Sequence, residues 1–351
     1  MRVIIIGSGI IGASIAWHLS REGAQVRIIS AHPPGGLASP NSWSWINASW
    51  GNPAAYFQFR HDSMKRWERL AQEVPQLGFQ QSGSLTYDLD GPALENYVRE
   101  QSSWGYRVRM IGAQEIANLE PNLKLIPDQA ALAEDEAVVE PVQACHALIA
   151  DSGVRVLASE VHGLQVKSGR ITGVMTSEGA MAADYVVVAA GEATGRIAAT
   201  AGVHVPLHAP GGILVHTEVL PPLMQRLIVS PQIHVRQTAE GRLLAGTDFG
   251  GSPIEKGPEH VAEEMMGRIH SLISGAENVG LYRYSIGYRP TPEDGLPIIS
   301  GTPDVQGLYL AVMHSGITNA PATGAYVAKE ILSGERDGLL QPFGLERFAA
   351  T

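Results

Sequence analysis

The sequence predicts an α/β fold, on three observations. A strand–glycine turn–helix–strand pattern opens the chain, apolar strand signals recur in its middle and near its end, and two β-rich segments separate these stretches. Residues 3–6 are a short β-branched run, the pattern of a strand buried on both faces. After Gly7, Ser8 and Gly9, the residues Ile11, Ile15 and Leu19 recur at helical spacing as far as Gly23, which ends the helix. Residues 25–29 supply the second strand of a βαβ unit.

Residues 33–53 are rich in Gly, Pro, Ser and Asn, hold three Trp, and read as a long structured loop. Helical periodicity follows over 56–74, on Phe59, Met64, Trp67 and Leu70. From 78 to 137 the pattern is mixed, with a turn at Asp90-Gly91-Pro92 and a helix expected over 93–103. Beyond Glu140-Pro141, a helix is expected over 142–151 and a strand over 154–158. A hairpin should follow, its arms at 163–166 and 171–176 flanking Ser168-Gly169. Residues 185–190 form another apolar run, ending at Gly191. Strand-like segments at 212–217, 233–237 and 242–245 precede a helix over 258–273. The chain closes with turns around 289–295, a strand at 308–312 and a helix over 324–332.

Composition narrows the function classes. The 351 residues carry 39 Gly, 17% charged and 44% hydrophobic side chains, which is the make-up of a compact enzyme and not of a disordered chain. The net charge of −10 comes with no basic run, so the footprint of a nucleic-acid binder is missing. The single Cys145 rules out an intramolecular disulfide and a thiolate metal cluster, and suits a reducing compartment. Glycines interrupt the N-terminal apolar stretch too early for a signal peptide, and no segment reaches the length of a membrane span. A cytoplasmic location is therefore expected.

Gly7-Ser8-Gly9-Ile10-Ile11-Gly12 follows a strand and opens a helix, the context a dinucleotide fingerprint requires. Gly7 permits the turn, Gly9 lets a pyrophosphate approach the backbone, and Gly12 lets the helix pack on the sheet. The helix start supplies N–H groups and a positive dipole end for phosphates. The fingerprint also expects an acid at the end of the second strand, to hold a ribose hydroxyl. Ser30 stands there, followed by Ala31 and His32. Its hydroxyl is read as a ribose contact without charge assistance, against the alternative of a plain strand end. Residues 1–80, 138–205 and 286–351 are accordingly expected to form a discontinuous, Rossmann-like dinucleotide-binding domain. An inserted β-rich α+β substrate domain would comprise 81–137 and 206–285.

Five blocks in fixed order extend the reading: the fingerprint; Gly35-Gly36-Leu37-Ala38-Ser39; Val161 and the hairpin leading to Ala183–Gly191; Gly287-Tyr288-Arg289-Pro290 through Pro297; and His314-Ser315-Gly316 with Ala320–Gly324. In these blocks the chain resembles, nearly end to end, the D-amino-acid oxidase, glycine oxidase and sarcosine oxidase family of FAD-dependent oxidoreductases. The resemblance implies that the Rossmann-like domain binds FAD. Gly36, Ala38 and Ser39 would then touch the pyrophosphate and flavin edge. Val161 would offer its backbone to the adenine, Gly191 would border the cofactor, and Ser315, Gly316, Ile317 and Thr318 would lie near the flavin ring. An isolated glycine is more often only a turn.

By the same resemblance Arg289 would pair with a substrate carboxylate, for which its planar fork is suited. The alternative is a structural ion pair with Asp294. Trp43, Trp45 and Asn47 would lie close to the flavin, as walls and a hydrogen-bond donor or as plain packing. His234 occupies a place where relatives carry an aromatic residue facing substrate. His314 would aid the flavin or cap the final helix. No Cys or His stands where covalent relatives tether the flavin, so noncovalent FAD is expected. Ser252 fills the place of the Lys that activates oxygen in sarcosine oxidases.

The implied chemistry is oxidation of a small amine or amino acid, by hydride transfer from the amine-bearing carbon to flavin N5. The imine would hydrolyse, and O2 or another acceptor would reoxidise the flavin. Three rivals remain open: an amine dehydrogenase with a non-O2 acceptor, an NAD(P)-dependent dehydrogenase, and a flavin-binding subunit of an electron-transfer complex.

Overall fold

A computed structural model describes residues 1–49, 51–247 and 257–348. Strand β1 (Arg2–Ile6), helix α1 (Ile10–Arg21) and strand β2 (Gln25–Ser30) form the expected βαβ unit. Among the described residues, six strands make one sheet in the order Ile298–Gly301, Leu308–Val312, Tyr185–Val188, β1, β2 and Arg155–Ala158. Neighbours run parallel except at the edge, where Ile298–Gly301 is antiparallel to Leu308–Val312.

The central place of β1 explains its unbroken apolar run. Val3 and Ile5 pack toward α1 and the helices Pro141–Ser152 and Gly316–Ser333, while Ile4 and Ile6 face a three-stranded antiparallel sheet. That sheet is Val161–Lys167, Arg170–Thr176 and Gly179–Ala182. Its first turn is the expected Ser168-Gly169, both at positive φ (50° and 71°), as a two-residue hairpin requires.

A second, eight-stranded sheet runs Leu281–Tyr288, Gly211–Val219, Arg242–Gly246, His234–Gln237, Leu227–Val229, Ser84–Thr86, Gln129–Ala133 and Val108–Gly112. Its pairs are antiparallel except Leu227–Val229 with Ser84–Thr86, and its side chains alternate between two different faces. Ile213, Val215, Val235 and Ala245 pack under the helix Pro258–Leu272. Leu214, Val229 and Leu244 turn the other way, onto Trp43 and Trp45.

Two segments differ from expectation. The loop at 33–53 contains a 3-10 turn (Ser39–Asn41) and a two-residue strand (Trp45–Ile46) paired with Ala137–Val139, both too short to leave a periodic signal. The last helix starts at Gly316, not at 324. Pro321 hides its first turns, because proline in a helix interior costs about 3 kcal/mol. It supplies no N–H for the carbonyl of Ile317 four residues back. Trp67 on helix α2 (Ala54–Glu73) fills the gap, its indole Nε1 donating to that carbonyl at 2.9 Å.

The last helix is therefore predicted to depend on Trp67. Trp67→Phe keeps most of the packing and leaves the buried Ile317 carbonyl unpaired, for an expected loss of about 1–3 kcal/mol in denaturant unfolding. An unchanged midpoint would show that the carbonyl is satisfied otherwise.

His18 on α1 donates from Nδ1 to the Ser14 carbonyl (2.9 Å), and burial lowers its pKa to about 4. His216 is likewise lowered to about 4, by burial and then by Arg283, Arg236 and Arg242. A neutral native imidazole stabilises fully above the unfolded value near 6.5, and loses that contribution as pH falls toward 4. Glu120 works in the opposite sense, since burial raises its carboxyl to about 7. The clean test is a difference: the stability of His18→Gln should fall less than that of the wild type between pH 7 and pH 5. Equal slopes would refute the assignment to His18.

Candidate cofactor and substrate site

The site begins at the close approach that starts α1. Gly7 has φ 107°, and a Cβ there would strike the Ala189 carbonyl oxygen. At Gly12 a Cβ would strike the carbonyl oxygen of Gly7 itself. The glycines thus seat α1 directly on the end of β1 and beside Gly191. Gly36, at φ 59°, lies against Gly9, with a would-be Cβ 3.7 Å from the Gly9 N and Cα. Gly35 N donates to the Ser8 carbonyl (2.8 Å), and Ile10 N donates to Ser39 Oγ (3.3 Å). Ala38 precedes Ser39 as the N-cap of its short turn.

The start of the last helix closes this cradle from the other side. Ser315 adopts a left-handed conformation (φ 57°), and Gly316 rests on Ile10 and Ile11. His314 Nδ1 and Ser315 Oγ are 2.8 Å apart. Neither Gly9 nor Ser315 caps its helix through a side chain. Two helix starts, each with a positive dipole end, therefore converge on Gly9, Gly36 and Gly316.

Ser30 is buried, and its hydroxyl is already used. It donates to the His32 carbonyl (2.7 Å) and accepts from Ser8 Oγ (2.9 Å) and His32 N (3.3 Å). Ser159 N donates to the Ser30 carbonyl (3.1 Å), which brings β2 beside Val161. The Ser159 hydroxyl is buried without a partner among the described residues, as is Thr194 Oγ1, three residues after Gly191. These orphaned groups, the glycine cradle and the two helix starts fit a dinucleotide with its pyrophosphate between the helices.

The substrate-side residues lie on the second sheet. Register places Ser285, Leu214, His234, Val229 and Thr86 on the face turned toward Trp43 and Trp45. Arg289 extends past the edge strand with its guanidinium over Gly212, where a Cβ would come within 2.6 Å of it. His234 stands two strands over, on the order of 10 Å away. Asp294 does not serve Arg289: Arg347 grips it with Nε at 2.7 Å and a terminal nitrogen at 3.0 Å. The His234 ring is 6.0 Å from Trp43, and its Nε2 is 3.7 Å from Asp88 Oδ2. The other Asp88 oxygen is buried without a hydrogen-bond partner. Residues 248–252, including Ser252, lie outside the described residues.

Asn47 is 4% exposed and tied down rather than open. Its N–H points to Thr318 Oγ1 (3.4 Å), and the Thr318 hydroxyl donates to the Trp45 carbonyl (3.1 Å). Arg60 donates to both the Asn47 carbonyl (3.0 Å) and Oδ1 (2.6 Å). Arg60, Asp88 and Glu136 were not among the residues singled out from sequence. A signal existed for Arg60, which shares the buried stripe of α2 with Tyr56, Ser63 and Trp67. Cys145 is buried near Ser39, and burial pushes its thiol up to about 12.

The sequence pattern of the family described as FAD dependent oxidoreductase matches residues 2–330. The chain belongs to that family. A glycine oxidase of Bacillus licheniformis is 26% identical over 94% of this chain and 92% of its own length. A D-amino acid dehydrogenase of Cereibacter sphaeroides is 25% identical over 100% and 96%. The crystal structure of glycine oxidase from Geobacillus kaustophilus superimposes with a TM-score of 0.87 at 23% identity, covering 99% of both chains, and shows the shared fold. Family membership makes FAD the cofactor, and sets the NAD(P) reading aside. Among the described residues no helix is long and apolar enough to cross a membrane, and no group of three His, Cys, Asp or Glu is placed to hold a metal.

Proposed function

We propose that the chain oxidises a small amine or amino acid that carries a carboxylate. The observation that carries this reading is Arg289, whose guanidinium lies over Gly212 on the same sheet face as His234, with Asp294 occupied by Arg347. The names of the relatives, a glycine oxidase and a D-amino acid dehydrogenase among them, support it. In this reading residues 1–80, 138–205 and 286–351 form the FAD-binding domain, and 81–137 and 206–285 the substrate domain. FAD, when bound, supplies a two-electron acceptor for the hydride on the amine-bearing carbon.

The protein's own part is placement. Gly7, Gly9, Gly12, Gly36 and Ser39 hold the pyrophosphate, Val161 and Ser30 border the adenosine, and residues 315–318 border the ring. With Cys145 outside the blocks where covalent relatives tether the flavin and no His among residues 43–47, binding is noncovalent. Arg289 fixes the substrate carboxylate, and His234 with Trp43 forms the opposite wall and excludes water. Fixing the carboxylate orients the reacting carbon, an effect worth several kcal/mol by itself. We also place the protein in the cytoplasm, where a lone reduced thiol such as Cys145 persists, and cell fractionation tests this.

The decisive measurement is the absorption spectrum under anaerobic conditions as amino acids and N-methylated amines are added. Bleaching by a carboxylate-bearing amine is expected, and admission of air then separates oxidase from dehydrogenase. Arg289→Met should cost about 3 kcal/mol in kcat/KM for that substrate, roughly 100-fold. No bleaching by any carboxylate-bearing amine, or an Arg289→Met enzyme of full activity, would overturn the reading.

A further inference from the structure

Two side chains of opposite ionisable type, Arg60 and Glu136, are buried against residues 45–49, and they form no ion pair with each other. Glu136 is 0% exposed and accepts four hydrogen bonds, all from neutral donors. Its Oε2 receives Trp45 Nε1 (2.6 Å) and Ser84 Oγ (2.5 Å), and its Oε1 receives Tyr106 Oη (2.6 Å) and Ser49 Oγ (3.2 Å). The Tyr106 oxygen accepts in turn from Ala48 N (3.3 Å), so its own proton points to Glu136. Four donors can fill the acceptor sites of a carboxylate, which only accepts. Burial opposes the charge and raises the Glu136 pKa, whereas each of the four donors lowers it.

Arg60 is the counterpart, 5% exposed, and its hydrogen bonds end on neutral oxygens. Besides the two to Asn47, one nitrogen reaches Tyr56 Oη at 3.5 Å, and that oxygen accepts from Asn319 Nδ2 (3.0 Å). Every residue from 45 to 49 except Ile46 is thus bonded directly to one of these two charges or, for Ala48, through Tyr106. The same segment bonds to Thr318 in the first turn of the last helix. Glu136 adds a second tie, since Ser84 belongs to the eight-stranded sheet.

We propose that Arg60 and Glu136 are paired positioning residues, which hold residues 45–49 through separate sets of hydrogen bonds and thereby set the first turn of the last helix against the substrate sheet. A hydrophobic pair of equal volume would fill the space, but would not fix the Trp45 indole or the Asn47 amide in orientation. The inference takes from the proposed function only that residues 315–318 border FAD, and it needs no amine to be oxidised.

The test is a double-mutant cycle on the affinity of the apoprotein for FAD, with Arg60→Met and Glu136→Gln. Each single variant should weaken FAD binding about tenfold. The double variant should bind no more weakly than the worse single one, because both act through one segment. Effects that multiply, or single variants with wild-type affinity, would overturn the proposal. The Trp45 indole N–H signal in a 15N–1H spectrum of the FAD-loaded protein gives a second readout. It should move in Ser84→Ala, a mild change that removes one donor to the shared oxygen and serves if a charge variant does not fold. An unmoved signal there also counts against the proposal. Neither readout involves turnover, so failure of the amine-oxidation reading and failure of the clamp are told apart.

Discussion

The seating of α1 on β1 is the constraint from which the rest of the site follows. The carbonyl of Gly7 occupies the space that a Cβ of Gly12 would need, and the turn at Ala189 occupies the space beside Gly7. Because no side chain intervenes, the start of α1 reaches the end of the sheet instead of standing off it. The loop of Gly35 and Gly36 and the start of the last helix then close around the same spot. Loss of side-chain bulk at these positions costs conformational entropy in the unfolded chain, and what it provides is a backbone-lined cradle with two helix dipoles aimed into it.

Pro321 extends the same logic along the last helix. A proline one turn into a helix breaks its hydrogen-bond ladder, yet here the freed carbonyl of Ile317 is met by Trp67, and the neighbouring carbonyl of Ala320 accepts from Ser14 Oγ at 2.7 Å. The first turns of this helix are therefore fastened laterally, to α1 and α2, more than along their own axis. Their position is set by tertiary partners, so residues 315–319 can follow the demands of the site and not those of an ideal helix.

This division explains what the sequence made legible. The βαβ unit, the hairpin at Ser168-Gly169 and the helices on α2 and at 258–273 all rest on local rules of period and turn chemistry, and they appear where those rules put them. The glycine cradle was legible for the same reason, since Gly7, Gly9 and Gly12 act on the backbone within one turn. The beginning of the last helix was not legible, because its compensation comes from Trp67, some 250 residues away in the chain. Nor was the role of Asn47, whose partners Arg60 and Thr318 have no local relation to it. Arg289 shows the boundary between the two: its residue type was informative, whereas the pairing of Asp294 with Arg347, 53 residues along the chain, was not.

The buried polar groups beside residues 43–49 form one cluster. Glu136, Arg60 and Asp88 are polar groups in largely buried positions, each of which would cost stability in a purely structural accounting. None lies in the core under Pro258–Leu272 or in the core between β1 and the three-stranded sheet, which are built from aliphatic side chains. They belong instead to the region where the eight-stranded sheet and residues 43–49 meet. Apolar contact alone would let those surfaces slide, since dispersion and burial are indifferent to small lateral shifts, whereas hydrogen bonds of 2.5–3.0 Å are not. The polar groups thus sit where orientation matters more than adhesion, and the aliphatic cores on either side supply the stability that lets them remain there.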